Sequence, residues 1–165
     1  MKLKHEIFIA KIITLIIILL TIFEISAHGA TQQTISQLFM SCNHKLSRTQ
    51  ANYFADLTFE AGAKYHVSPA LIAAIIVCES SARPRVISRT GDYSLMQIHY
   101  SAHKDKVSKR SDLFNPRINI FTGTMIFAQY KKRRTLHGAL TRYSGGSKSY
   151  ARKVIRTLKN IERRR

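Results

Sequence analysis

The sequence predicts a mainly α fold, a bundle of short helices around one buried central helix. Three observations carry that reading. From Ala70 to Val77 no residue is polar, so the helix expected over Pro69 to Ser80 has no face for water and belongs inside a core. Before and after it, apolar side chains recur at three-and-four spacing in stretches separated by turn formers. No strand-like alternation is sustained, and the chain shows no repeat or low-complexity segment.

In chain order, Lys2, Lys4 and Lys11 precede an apolar run from Ile12 to Phe23, followed by small residues around Ala27-His28-Gly29-Ala30. This pattern predicts a signal peptide over 1–29 and one domain over 30–165. The run is short for a membrane span, and it reaches an uncleaved anchor only if Ile7 to Ala10 is added. Thr31 to Ser41 predicts a short helix with Ile35, Leu38 and Phe39 inward. After a turn, Ser47 to Gln50 fits a capping box, and Ala51, Phe54, Ala55, Thr58, Ala61, Gly62 and Tyr65 form a small-and-aromatic stripe. Ser68 as cap and Pro69 at the first position open the central helix.

Ser81 to Ser94 is rich in breakers and carries Arg83, Arg85 and Arg89. A short apolar piece, Leu95 to Ile98, precedes a polar stretch expected to be irregular or one short helix. Asn115-Pro116 starts a helix to about Lys132, with Ile118, Phe121, Met125 and Ala128 inward. Thr135 to Tyr143 reads as another helix. Ser144 to Ser147 breaks it, and Tyr150, Val154, Leu158 and Ile161 define a last amphipathic one.

Lys+Arg 27 against Asp+Glu 9 gives a net charge of +18, which calls for a polyanionic partner. Export to the periplasm or beyond disfavours nucleic acid and favours an envelope polymer, and no nucleic-acid module is recognisable. Lys131 to Arg134 and Arg163 to Arg165 read as solvated faces that also suit anionic glycan, lipid headgroups or a secretion-machine partner. In an oxidising compartment Cys42 and Cys78 are expected to pair, with two buried thiols as the alternative. His99 and His103 stand four apart but lack a third ligand, so they read as solvated loop residues. Neither metal nor cofactor is expected.

Glu79 shares a face with Ile72, Ile75 and Ile76 and sits at the negative end of the helix dipole. Desolvation and the dipole both raise its pKa, which makes a general acid. A Glu at a helix end is more often a solvated terminal residue, but the downstream sequence overturns that plainer reading. Four segments in order resemble the lytic transglycosylase family with its lysozyme-like fold. They are Val67 to Ser80, Gly91-Asp-Tyr-Ser-Leu-Met-Gln-Ile98, Leu113-Phe-Asn-Pro-Arg-Ile-Asn-Ile-Phe-Thr-Gly123 and Ala139-Leu-Thr-Arg-Tyr-Ser-Gly-Gly146.

The resemblance is to the small single-domain, secretion-associated type. It implies cleavage of the β-1,4 bond between N-acetylmuramic acid and N-acetylglucosamine in peptidoglycan, with a 1,6-anhydromuramoyl product. Glu79 matches the lone catalytic acid/base, Ser80 a hydrogen-bond partner near the sugar, and Gln97 an amide that positions ring substituents. Tyr143 matches a hydroxyl that orients the Glu carboxyl, and Met96 borders the cleft unless it is core. Asp92 lies in a loop with no sign of being held against the sugar. Two departures stand out: Ser94 replaces a common Gly, putting a positive φ there in question, and Ser144 replaces a common Asn. A muramidase that uses water, and a weak or non-catalytic basic wall-binding protein, are the alternatives. The partners implied are glycan strands and an envelope-spanning secretion or conjugation machine, with membrane contact through the basic surface or the N-terminal segment.

Overall fold

The protein is described by a computed structural model covering residues 2–164, with side chains described for 11–19 and 31–164. It is mainly α. Six α-helices run in the order α1 (Lys2–Cys42), α2 (Arg48–Tyr65), α3 (Pro69–Ser80), α4 (Pro116–Lys131), α5 (Leu136–Tyr143) and α6 (Lys148–Glu162). A two-residue hairpin, β1 (Asp92–Tyr93) and β2 (Ile98–His99), stands between α3 and α4.

The helix expected over Thr31 to Ser41 is the end of a longer one, since α1 runs unbroken from Lys2. Ile12, Ile13 and Leu15 to Leu19 are exposed on it. Among the described residues no helix is long and apolar enough to cross a membrane. Most of the expected targeting segment, and its boundary near Gly29, lies outside the residues with described side chains. Further along, Ile35 and Phe39 are fully buried. There Ser36 Oγ donates to Asn52 Oδ1 at 2.6 Å, and Gln32 bonds Asp56, fastening α1 to α2. Asn43 Nδ2 then donates to the Ala82 carbonyl at 3.1 Å, tying the end of α1 to the loop after α3.

α2 begins with the expected box: Gln50 N–H donates to Ser47 Oγ, and Ser47 N–H to Gln50 Oε1, both at 3.1 Å. Near its end a Cβ on Gly62 would lie 2.6 Å from the Val67 carbonyl oxygen, so only glycine lets the chain turn so closely into α3. Every residue of α3 from Ala70 to Ile76 is buried. Ser68 occupies the cap position without a side-chain bond. The N–H groups of Leu71 and Ile72 donate to the Ser68 carbonyl instead, and its exposed hydroxyl is not used.

The disulfide is a correction. Cys42 and Cys78 are both free thiols. Cys78 Sγ sits 3.7 Å from Thr157 Oγ1 on α6, and burial pushes its pKa up, which makes it a poor nucleophile.

The inward face of α4 also differs from expectation. Asn119, Ile120, Thr122, Gly123, Thr124, Ile126 and Phe127 are buried, while Ile118 is exposed. The periodicity of large apolar residues located only part of this face: Phe121 and Ala128 are half-buried against the core, but the helix also packs on the hairpin loop with small and polar groups. A Cβ on Gly123 would lie 2.6 Å from Met96 Sδ and 2.8 Å from its Cβ. The stretch after β2 forms two 3₁₀ turns, Tyr100–Ala102 and Arg110–Phe114. α6 packs across α3 and α5 and completes the shell round the central helix.

Candidate active site

Glu79 is the penultimate residue of α3, and it lines a cleft of about 590 Å³. The helix stops directly after it because Ser81 and Ala82 take left-handed conformations, φ 53° and 56°. The carboxyl thus stays at the end of an apolar rod instead of being carried into a polar turn. Burial raises its pKa from 4.5 to about 7, which keeps a proton on it near neutrality. Tyr150 on α6 and Lys153 act against that rise, and the charge of Asp92 adds to it.

The sequence placed Tyr150 on the apolar face of the last helix and gave it no role in the site. Its hydroxyl is the one buried side-chain polar atom without a hydrogen-bond partner among the described residues. It stands close enough to Glu79 to stabilise the carboxylate, although not at ordinary hydrogen-bond geometry. Burial, with the charge of Glu79 behind it, drives the Tyr150 pKa far upward, so it remains a phenol.

The facing wall is the loop between α3 and β2. Asp92 is held in the cleft, contrary to the sequence reading. Its Oδ2 accepts from Ser88 Oγ at 2.7 Å and Thr90 Oγ1 at 2.6 Å, and its Oδ1 meets His99 Nδ1 at 2.9 Å. Burial works to raise its pKa, but these bonds outweigh it and hold the carboxyl below its ordinary value. Gln97 also lines the cleft, at φ 47°, with Nε2 donating to the Ser94 carbonyl at 2.7 Å. Ser94 retains the positive φ that its substitution for glycine put in question, φ 67°. Its buried hydroxyl donates to the Pro84 carbonyl at 2.7 Å, which offsets part of the strain.

Three expected roles change. Ser80 is 1% exposed and donates to the Leu95 carbonyl at 2.8 Å, so it braces the loop and cannot touch a sugar. Met96 is fully buried with its sulfur against Gly123 and Thr124, a core residue. Tyr143 lines the cleft, but its hydroxyl donates to the Met96 carbonyl at 2.9 Å rather than to Glu79. It therefore clamps the segment that presents Gln97.

Asn119, fully buried, is the second clamp, and no role was assigned to it from sequence. Its Oδ1 accepts from Met96 N–H at 2.8 Å, and its Nδ2 donates to the Tyr93 and Leu113 carbonyls at 2.9 and 3.0 Å. Ser144 spends its hydroxyl within its own turn, donating to the Thr141 carbonyl at 3.1 Å. His99 and His103 line the cleft instead of standing free in a solvated loop, and Arg142 lies at its rim over the Tyr130 ring, 5.7 Å from the centroid. Among the described residues no three His, Cys, Asp or Glu side chains gather to hold a metal ion.

The arrangement offers a protonated carboxyl on an apolar wall and a charged, hydrogen-bonded carboxylate on a polar one, both facing a space of sugar-binding size. The profile of the transglycosylase SLT domain matches residues 56–163. A membrane-bound lytic murein transglycosylase C of Edwardsiella ictaluri (strain 93-146) is 35% identical over 123 residues, covering 62% of this chain and 34% of that protein. The chain thus spans about a third of the length of this curated relative. With the profile covering more than half of it, including both walls of the cleft, the chain belongs to the transglycosylase SLT domain family.

Proposed function

We propose that this protein is a peptidoglycan lytic transglycosylase with Glu79 as its catalytic acid. The observation that carries the reading is the pKa of about 7 that burial imposes on a carboxyl lining an open cleft. A glycan strand lying in the cleft presents its glycosidic oxygen to Glu79, which donates its proton as the C1–O4 bond of the muramoyl residue breaks. The 6-hydroxyl of that residue closes on C1 and gives up its proton, leaving a 1,6-anhydro end. In the simplest scheme the Glu79 carboxylate takes that proton. Gln97, fixed by its bond to the Ser94 carbonyl, is placed to orient an N-acetyl or ring substituent.

Export supports a wall substrate. The apolar segment behind Lys2, Lys4 and Lys11 and the +18 charge suit a periplasmic protein that binds an anionic polymer, and the similarity to a membrane-bound murein transglycosylase agrees with this placement. Local opening of the wall for an envelope-spanning machine is the role that the basic charge suits.

The test is digestion of purified sacculi by wild type and Glu79→Gln, with mass spectrometry of the products. Wild type is expected to release anhydro ends, and the variant to be slower by about 10³-fold. Reducing ends in place of anhydro ends mean a muramidase. Equal activity of the two proteins removes Glu79 from catalysis.

A further inference from the structure

We propose that Arg142 is a specificity-determining residue that binds a carboxylate carried on the O3 substituent of a muramoyl residue. That group is either the lactyl carboxylate of a bare strand or a carboxylate of the stem peptide. The inference rests on the transglycosylase reading and adds to it the charged part of the substrate.

Among the described residues Arg142 is the only lysine or arginine that lines the cleft. It precedes Tyr143, whose bond to the Met96 carbonyl fixes the end of α5. The Tyr130 ring on α4 supports the guanidinium at 5.7 Å from the centroid. No carboxylate among the described residues pairs with it. The three ion pairs there join His99 to Asp92, Lys106 to Asp105 and Arg117 to Glu60. Its fork of N–H donors is therefore open to a ligand, and a carboxylate is the group that meets such a fork with two parallel bonds.

The other titratable groups of the cleft do not compete for that role. Asp92 is ionised and repels a carboxylate, and Glu79 keeps its proton near neutrality. His99 is already bonded to Asp92, and burial with the charge of Lys106 lowers the His103 pKa, which leaves that ring neutral. The glycan backbone supplies only hydroxyl and acetamido groups. The charge that matches Arg142 has to come from the lactyl ether at O3 or from the peptide attached to it. The turn after α5 leaves room for such a branch. Gly145, which lines the cleft, and Gly146 sit at φ 70° and 117°, and a Cβ on either would meet nothing within 4 Å.

A contact to a branch that takes no part in bond breaking is the same in the ground state and the transition state, so it sets KM and leaves kcat alone. Tyr150, Asp92 and Lys153 act on the Glu79 carboxyl, and Arg142 does not, so removing its charge leaves the acid in place. The pair forms at the open rim, where salt screens it. The wild-type KM therefore rises with ionic strength more steeply than that of a variant lacking the guanidinium.

The experiment measures release of anhydro ends by wild type, Arg142→Gln, Arg142→Lys and Arg156→Gln, with thermal unfolding of each as a check on folding. Arg156 lines a separate depression on α6 and controls for the loss of one positive charge. The substrates are soluble peptide-bearing strands, strands stripped of peptide by an amidase, and both after carbodiimide amidation of their carboxyls with ammonia. On strands with free carboxyls Arg142→Gln should raise KM about fivefold with kcat within about twofold. Arg142→Lys should fall between, and Arg156→Gln should match wild type. On amidated strands wild type and Arg142→Gln should agree. A rise on peptide-bearing strands assigns the carboxylate to the peptide, and a rise on stripped strands assigns it to the lactyl group. An equal rise on amidated strands, the same rise in Arg156→Gln, or a fall in kcat alone overturns the inference. If Arg142→Gln matches wild type on every strand while anhydro ends are released, this inference fails and the transglycosylase reading stands. Wild type that releases no anhydro ends from any strand overturns both.

Discussion

The two walls of the cleft treat a carboxyl in opposite ways. On α3, Glu79 is set among buried aliphatic side chains, and burial lifts its pKa to about 7. On the hairpin loop, Asp92 is wrapped by Ser88, Thr90 and His99 and held below its ordinary value. The walls also differ in backbone. α3 is regular along its length, whereas Ser81, Ala82, Ser94 and Gln97 in the loop all sit at positive φ without being glycine. Each such residue costs roughly 1–2 kcal/mol, so the loop persists only because other groups over-determine it. Acid and charged carboxylate are therefore made by environment, one by withholding hydrogen bonds and the other by supplying them.

The polar wall is broken most severely at Asn119. Asn119→Ala leaves the Met96 N–H and two carbonyls without partners in a dry interior. The expected loss is about 4 kcal/mol in urea unfolding, with activity falling as Gln97 is released. A loss under 1 kcal/mol means that the loop does not depend on this clamp.

The apolar wall is tested by Glu79→Gln at two pH values. The folded-state pKa of Glu79 lies above its unfolded value of 4.5, so its favourable contribution is full below that pH. It is lost as pH rises through about 7, beyond which the folded chain bears a charged, desolvated carboxylate. The variant should match wild type near pH 4 and exceed it by about 3 kcal/mol at pH 8. Equal stabilities at both pH values place Glu79 in water.

A finer adjustment is Tyr150→Phe. Because Tyr150 favours the Glu79 carboxylate, its removal should raise the Glu79 pKa. The alkaline loss of activity then moves to higher pH, by less than about one unit, which kcat/KM profiles resolve. A shift to lower pH reverses the assigned role.

The smallest effect is expected at Ser94→Gly. Glycine relieves the strain of φ 67° but gives up the bond to the Pro84 carbonyl, and terms of about 1 kcal/mol cancel. The melting temperature should stay within about 4 °C of wild type.

Much of the frame was legible in residue order. An unbroken apolar run can fold only as a buried helix, Pro69 marks its start, and Ser47 with Gln50 and Asn115 with Pro116 mark two more. The family resemblance drew attention to Gly91 to Ile98. The identity of the cleft's working groups was less legible. Large apolar residues defined only part of the buried face of α4, because Gly123 and Asn119 make contacts whose value lies in smallness and hydrogen bonding. Tyr150 sits 71 positions from the carboxyl it faces, on a helix that packs across α3, and no local pattern encodes that meeting.

By itself, then, the sequence determined the helices, their caps, the burial of α3 and the carboxyl at its end, because these follow from periodicity, propensity and the exclusion of apolar surface from water. The tertiary structure alone decided that Ser80 and Met96 brace the loop and that both thiols are free. It also decided that Tyr143 clamps the loop by its bond to Met96 and that Asp92 and His99 stand in the cleft as a pair. Those outcomes depend on distances across the chain, and hydrogen bonds between distant residues leave no period in the sequence to read.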